Sequence, residues 1–192
     1  MIKQATDTRA RIVATADRLF YENGYGHTSF ADIAAAVELS RGNFYYHFKT
    51  KDEILAAVIE LRRQKTQAML NAWTAEAAQP AARIGRFIDM MVMNAPSIRR
   101  NGCPVGTLCT ELAKLEHPAL PQANTLFTLF REWLRAQFGQ LGTKAAANAD
   151  GLAMHLLARS QGIATLANAF DDGTFIQHEV LQLHKWLNAI AK

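Results

Sequence analysis

The stretch from Thr28 to Glu53 constrains this chain most, because three helix starts follow one another within it at short range. Each is announced by a hydroxyl residue, Ser29, Ser40 or Thr50, that can accept a hydrogen bond from the orphan amide N–H groups of the turn beginning beside it. Asp32 and Glu53 stand three residues after the first and last of these, the spacing of a capping box. Between Ser29 and Ser40 there is room for about two helical turns and a tight bend, and Ser40 to Phe48 makes another short helix. Two short helices joined in this way form a helix-turn-helix.

The second of these helices has an unusual outer side. Phe44 and Phe48 are four apart and point the same way, into a core shared with Ile33, Val37 and Leu39. Arg41, Asn43, Tyr45, Tyr46 and His47 are left on the exposed sides, followed by Lys49 and Lys51. Guanidinium and amide groups near a helix start reach base edges in a major groove, while hydroxyls, imidazole and Lys hold phosphate oxygens. Lys51 also sits at a helix start, where backbone N–H groups already favour an anion. Taken singly, Tyr45, Tyr46 and His47 would suit the half-buried side of any small bundle. Together with the caps, Arg41, Asn43, Lys49 and Lys51 in register, they predict a helix equipped to read DNA. One such helix reads too few base pairs to discriminate usefully, so two copies about a two-fold axis are expected.

The run Ser40-Arg41-Gly42-Asn43-Phe44-Tyr45-Tyr46-His47-Phe48-Lys49-Thr50-Lys51 resembles the recognition helix and following turn of TetR/AcrR-type transcriptional regulators. Upstream, Phe20, Gly24 and Thr28 to Ala34 fit the same pattern, so the resemblance spans roughly the first third of the chain. It implies that Arg41, Gly42, Asn43 and Tyr45 face bases or the groove, with Thr28, Tyr46, His47 and Lys51 on phosphates; Ser40 and Lys49 complete the expected DNA-binding set. One departure stands out, because Glu38 occupies the bend where that family usually places Gly. If the bend needs a left-handed residue there, Glu costs about 1–2 kcal/mol relative to Gly.

With 192 residues, half of them apolar and few of them Gly or Pro, the chain can build one sizeable core or two small ones. A net charge of +4 is too mild to nominate nucleic acid by itself, so any footprint has to be local. The first residues lack the apolar centre of a signal peptide, and no apolar run approaches a membrane span. Together with two cysteines only, Cys103 and Cys109, this predicts a cytoplasmic protein without a disulfide framework.

The rest of the chain reads as helices. Ile12, Ala16, Leu19 and Phe20 mark one from about Thr8, ended by Asn23-Gly24. A long helix runs from Thr50 to about Ala78. The next begins at Pro80 and carries Ile84, Phe87, Ile88, Met91, Ala95 and Ile98 at third-and-fourth spacing. Pro104 opens a short helix to about Leu115. Three amphipathic helices follow, over about Leu120 to Leu141, Ala145 to Phe170 and Thr174 to Ile190. The fold class is therefore all-α, with nine or ten helices. It comprises an N-terminal helix-turn-helix DNA-binding domain over residues 1–50 and a helical effector-binding and dimerisation domain over residues 51–192, entered through the long helix.

Three further sets of residues are candidates. The resemblance implies a small effector held between the middle helices, and Met69, Phe87, Met90, Met91, Cys103, Leu108, Phe127, Phe130 and Trp133 are adaptable or aromatic groups able to line such a cavity. They equally suit a plain core. The resemblance also implies a four-helix dimer interface from the last two helices, with Leu156, Arg159, Gly162, Ile163, Leu166, Ile176, Val180, Leu183 and Leu187 as its residues. Periodicity alone does not separate this from a stripe that closes the chain's own core. Cys103, just before Pro104, occupies a helix-cap position that stabilises a thiolate, which gives an alternative redox- or electrophile-sensing regulator. A helical enzyme with a Cys103 nucleophile is the remaining alternative, although no base or oxyanion donor is identifiable at a matching position. Six helical residues separate Cys103 from Cys109 by about 9 Å, beyond disulfide reach. The histidines His27, His117, His155, His178 and His184 show no ligand spacing, so no metal and no cofactor is expected; the partners are an operator duplex, an effector and a second copy of the chain.

Overall fold

The computed structural model describes residues 2–191, with side chains described for 7–40 and 42–191. Among these residues there are eleven helices and no strand: α1 (Ile2–Asn23), α2 (Phe30–Ala36), α3 (Arg41–His47), α4 (Lys51–Glu76), α5 (Pro80–Met93), α6 (Ala95–Asn101), α7 (Pro104–Lys114), α8 (Leu120–Phe138), α9 (Thr143–Ala146), α10 (Ala149–Phe170) and α11 (Gly173–Ile190). Among the described residues no helix is long and apolar enough to cross a membrane. The chain divides into two compact units, residues 1–65 with 107–126, and residues 66–106 with 127–192.

In the first unit Ile12, Ala16, Phe20, Ile33, Val37, Phe44, Phe48, Ile54, Leu55 and Val58 are buried, so the phenylalanine pair of α3 does face inward. An ion pair fixes α1 against α4, with Arg62 Nε 2.6 Å from Asp17 Oδ1 and the guanidinium nearly buried. From the other side of α1, Arg11 donates to the Val37 carbonyl at the end of α2.

The second unit is built around a core from α4, α5, α6, α8, α10 and α11, including Leu70, Trp73, Ile84, Phe87, Ile88, Met91, Leu134 and Phe138. Leu156, Ile163, Ile176, Val180, Leu183 and Leu187, expected at a dimer interface, lie inside this core. That expectation is corrected: the apolar stripe of α11 is consumed by packing within one chain. Arg159 instead pairs with Glu179 at 2.6 Å, while Gly162 and Leu166 remain exposed.

Two helix limits also differ from the expected ones. The single helix from Pro80 through Ile98 is broken at Asn94, because Pro96 falls in the first turn of α6. A proline in an unbroken helix would lack its N–H bond and clash with the carbonyl of Val92. The helix expected from Ala145 is likewise divided, into the short α9 and the long α10. Cys103 and Cys109 both remain thiols.

Candidate nucleic-acid interface

The reading unit is assembled by its caps. Ser29 Oγ accepts from Asp32 N at 3.1 Å and Asp32 Oδ2 accepts from Ser29 N at 2.8 Å, a complete capping box at the start of α2. The Ser29 hydroxyl first, then the Ser29 backbone N–H, hold the Asp32 carboxyl below the usual carboxylate range. Ser40 Oγ accepts from Asn43 N at 3.4 Å and opens α3. Thr50 Oγ1 accepts from Glu53 N at 3.1 Å, and the Glu53 carboxylate reaches back to Lys49 N at 2.7 Å, one residue before the expected partner. The bend between α2 and α3 places Glu38 at φ 53, the left-handed conformation that a glycine adopts without strain.

On α3, Phe44 is fully buried and meets Phe30 edge-on, with ring centroids 4.7 Å apart. Phe30 also meets Tyr45 at 5.0 Å, and the two line a small hollow of about 220 Å³ with Ser29, Ala31, Ala34 and Phe44. Gly42 and Asn43 are exposed, and a Cβ added at Gly42 would meet nothing within 4 Å. Tyr46 is the most open aromatic of the helix at 73 % exposure, and its ring touches that of His47. The Arg41 side chain lies outside the described residues. α3 carries no acidic residue, so its solvent face offers amide, phenol and imidazole groups without a carboxylate to repel phosphate.

Two expected phosphate contacts are corrected. Thr28 is buried, and its hydroxyl donates to the Gly24 carbonyl at 2.8 Å, closing the end of α1. Lys51 lies over the Tyr25 ring, 4.0 Å from its centroid, and donates to the Tyr25 carbonyl at 2.9 Å. Its ammonium is therefore engaged in tying α4 to the turn after α1. Lys49 remains exposed, although its ammonium donates to the Tyr45 carbonyl.

The turn that Lys51 holds was not marked as a site by its sequence. Tyr25 is buried against Phe20 and His117, and its hydroxyl donates to Asp52. Burial first, then the Asp52 carboxylate, push the phenol well above its ordinary range, so it stays a donor. Glu111 of α7 accepts from the backbone N–H groups of Tyr25 and Gly26, each at 2.8 Å. No local pattern announces a contact between residues 86 positions apart.

The expected effector residues are mostly core. Phe87, Met91 and Phe130 are buried in the second unit, with the Phe87 and Phe130 rings 5.5 Å apart, and Met69, Met90, Cys103 and Trp133 pack against that core. Phe127 is half-buried, whereas Leu108 is buried in the first unit and so is removed from the set. A hollow in this unit is lined by Arg135, Ala136, Gly139 and residues 146–151, none of them expected. Cys103 Sγ accepts from Gly106 N at 3.4 Å and Gln161 Nε2 at 3.5 Å.

Residues 12–58 match the family described as bacterial regulatory proteins, tetR family. Over 178 residues the chain is 29% identical to an uncharacterized HTH-type transcriptional regulator in the lacX 3′ region of Lactococcus lactis subsp. lactis, covering 92% of this chain and 85% of that one. Over 130 residues it is 25% identical to the HTH-type transcriptional repressor DhaR of Mycobacterium sp. (strain GP1), covering 68% of this chain and 63% of that one. The fold is that of SCO4454, a TetR-family transcriptional regulator from Streptomyces coelicolor, with a TM-score of 0.84, 20% identity and 97% of each chain covered.

Proposed function

Since this chain belongs to the TetR family of DNA-binding transcriptional regulators, a family of regulators rather than enzymes, we propose that it acts as a homodimeric repressor of a palindromic operator. Residues 1–50 read DNA and residues 51–192 bind effector and dimerise. Arg41, Gly42, Asn43 and Tyr45 enter the groove, while Tyr46, His47 and Lys49 hold the phosphate backbone on either side. The observation that carries this reading is the exposed, acid-free face of α3 behind its Ser40 cap. A relative named as a transcriptional repressor supports the sign of regulation.

The pairing surface is the outer side of α10 and α11, where Met154, Gly162, Leu166, Phe170 and Leu181 are exposed. A small apolar or aromatic effector enters among Met69, Phe87, Met90, Met91, Phe127, Phe130 and Trp133, and the flexible methionines make room for it. Release from the operator requires that the effector bind one conformer better, by about 1–3 kcal/mol. Selection of bound duplexes from a random pool tests the reading. A palindrome is expected; enrichment of nothing above the starting pool would defeat it.

A second reading takes Cys103, whose Sγ accepts from Gly106 N and Gln161 Nε2 at the start of α7, as a sensor. In it, electrophiles release the operator by modifying Cys103. Cys103→Ser should then keep operator affinity and lose electrophile-driven release, and a variant that still releases would dispose of it.

A further inference from the structure

The two oxygens of Glu111 are each used on a different backbone amide of the turn that follows α1: Oε2 accepts from Tyr25 N and Oε1 from Gly26 N, both at 2.8 Å. Consecutive amides converging on one anion form a nest, and here the anion is a side chain from far along the sequence. The turn is shaped to admit it. Gly24 adopts φ +88, and a Cβ there would come within 3.0 Å of Oε1; a Cβ at Gly26 would come within 3.2 Å of the same atom. The other groups of Tyr25 are held as well, the carbonyl by Lys51 and the hydroxyl by Asp52. Thr28, the residue before the cap of α2, hangs from the Gly24 carbonyl and donates its own N–H to the Tyr25 carbonyl at 3.3 Å. Whatever fixes residues 24–26 therefore fixes where α2, and with it α3, begins.

We infer that Glu111 is a positioning residue for DNA reading: by clamping the amides of Tyr25 and Gly26 it sets the place of the helix-turn-helix, so that α7 governs operator affinity without touching DNA. This rests on the assignment of α3 as the reading helix. A charged acceptor on two amides is among the stronger hydrogen-bonded arrangements, and Glu111 is half-buried, so water replaces it incompletely. Misplacing the reading unit penalises the specific complex, in which two units must fit one palindrome. Loose, sequence-independent binding tolerates the shift.

The test uses the full chain and an operator recovered by selection. Glu111→Ala should lower operator affinity about ten-fold, within the range usual for coupling between separate parts of one protein. Affinity for random duplex and the salt slope should stay at wild-type values. Gly26→Ala, which crowds the carboxylate from the other side, should give the same loss, and combining it with Glu111→Ala should add nothing. Without DNA, amide hydrogen exchange at Tyr25 and Gly26 should quicken in Glu111→Ala. Unchanged operator affinity in both single variants overturns the inference, as does unchanged exchange. A fall in operator and random-duplex affinity in step with the melting temperature assigns Glu111 to general stability and overturns it too. A wild-type protein with no preference for any duplex defeats the reading assignment itself, and the positioning role with it.

Discussion

At the scale of single residues, Glu38 is a strained position, since its φ of 53 places an L side chain in the left-handed region at the bend between α2 and α3. Glu38→Gly should raise stability by about 0.5–1 kcal/mol, because relief of roughly 1–2 kcal/mol of strain is partly offset by the extra freedom of glycine in the unfolded chain. Chemical denaturation measures it, and a less stable variant would show that the bend depends on the Glu38 side chain. Asn43 is exposed in the first turn of α3, and Asn43→Ala should cost about 1–3 kcal/mol at particular operator positions. An equal loss across all operator variants in a binding titration would move it to the phosphates. The left-handed bend at Glu38 and the exposure of Asn43 were legible from sequence because both follow from local spacing. Thr28 and Lys51 were not: the Thr28 hydroxyl is used on the Gly24 carbonyl four residues back, and the Lys51 ammonium on the Tyr25 carbonyl, a competitor that is near only once the turn after α1 meets α4.

At the scale of elements, helix limits are set where side chains meet orphan backbone groups. Ser40→Ala removes the acceptor that opens α3 and should cost about 0.5–2 kcal/mol in denaturation, with operator affinity falling as the helix frays. Unchanged stability would mean that burial of Phe44 and Phe48 alone holds α3. Asp32 gives the capping box of α2 a defined pH dependence. Its carboxyl is held low in the fold, so its contribution is present above the unfolded-state value and is lost as pH falls through the lower folded one. Asp32→Asn should therefore flatten the acid side of a melting-temperature profile, and a profile of unchanged steepness would place the acid loss elsewhere. Caps, prolines and the glycine at position 24 made most helix limits readable. The break at Asn94 was obscured by Ala95 and Ile98, which continue the apolar spacing of α5 although Pro96 prevents the backbone from doing so.

At the scale of the whole molecule, periodicity identified the apolar faces of α10 and α11 but not what each face meets, since one stripe serves a chain's own core as well as a partner. Burial decides it: Ile176, Val180, Leu183 and Leu187 point inward, leaving Gly162 and Leu166 outside. Leu166→Glu should shift the protein toward monomer in analytical ultracentrifugation while leaving its helicity intact, and an unchanged dimer would move the pairing surface elsewhere. Gly162 is the more telling position, because a Cβ there would meet nothing within 4 Å in the lone chain. Filling it with Leu replaces the poorest helix former short of proline, so the single chain should gain up to about 1 kcal/mol. Such a variant would separate two properties that ordinary damage confounds. It would be sturdier than its parent yet solitary, a lone reader grasping one half of a palindrome.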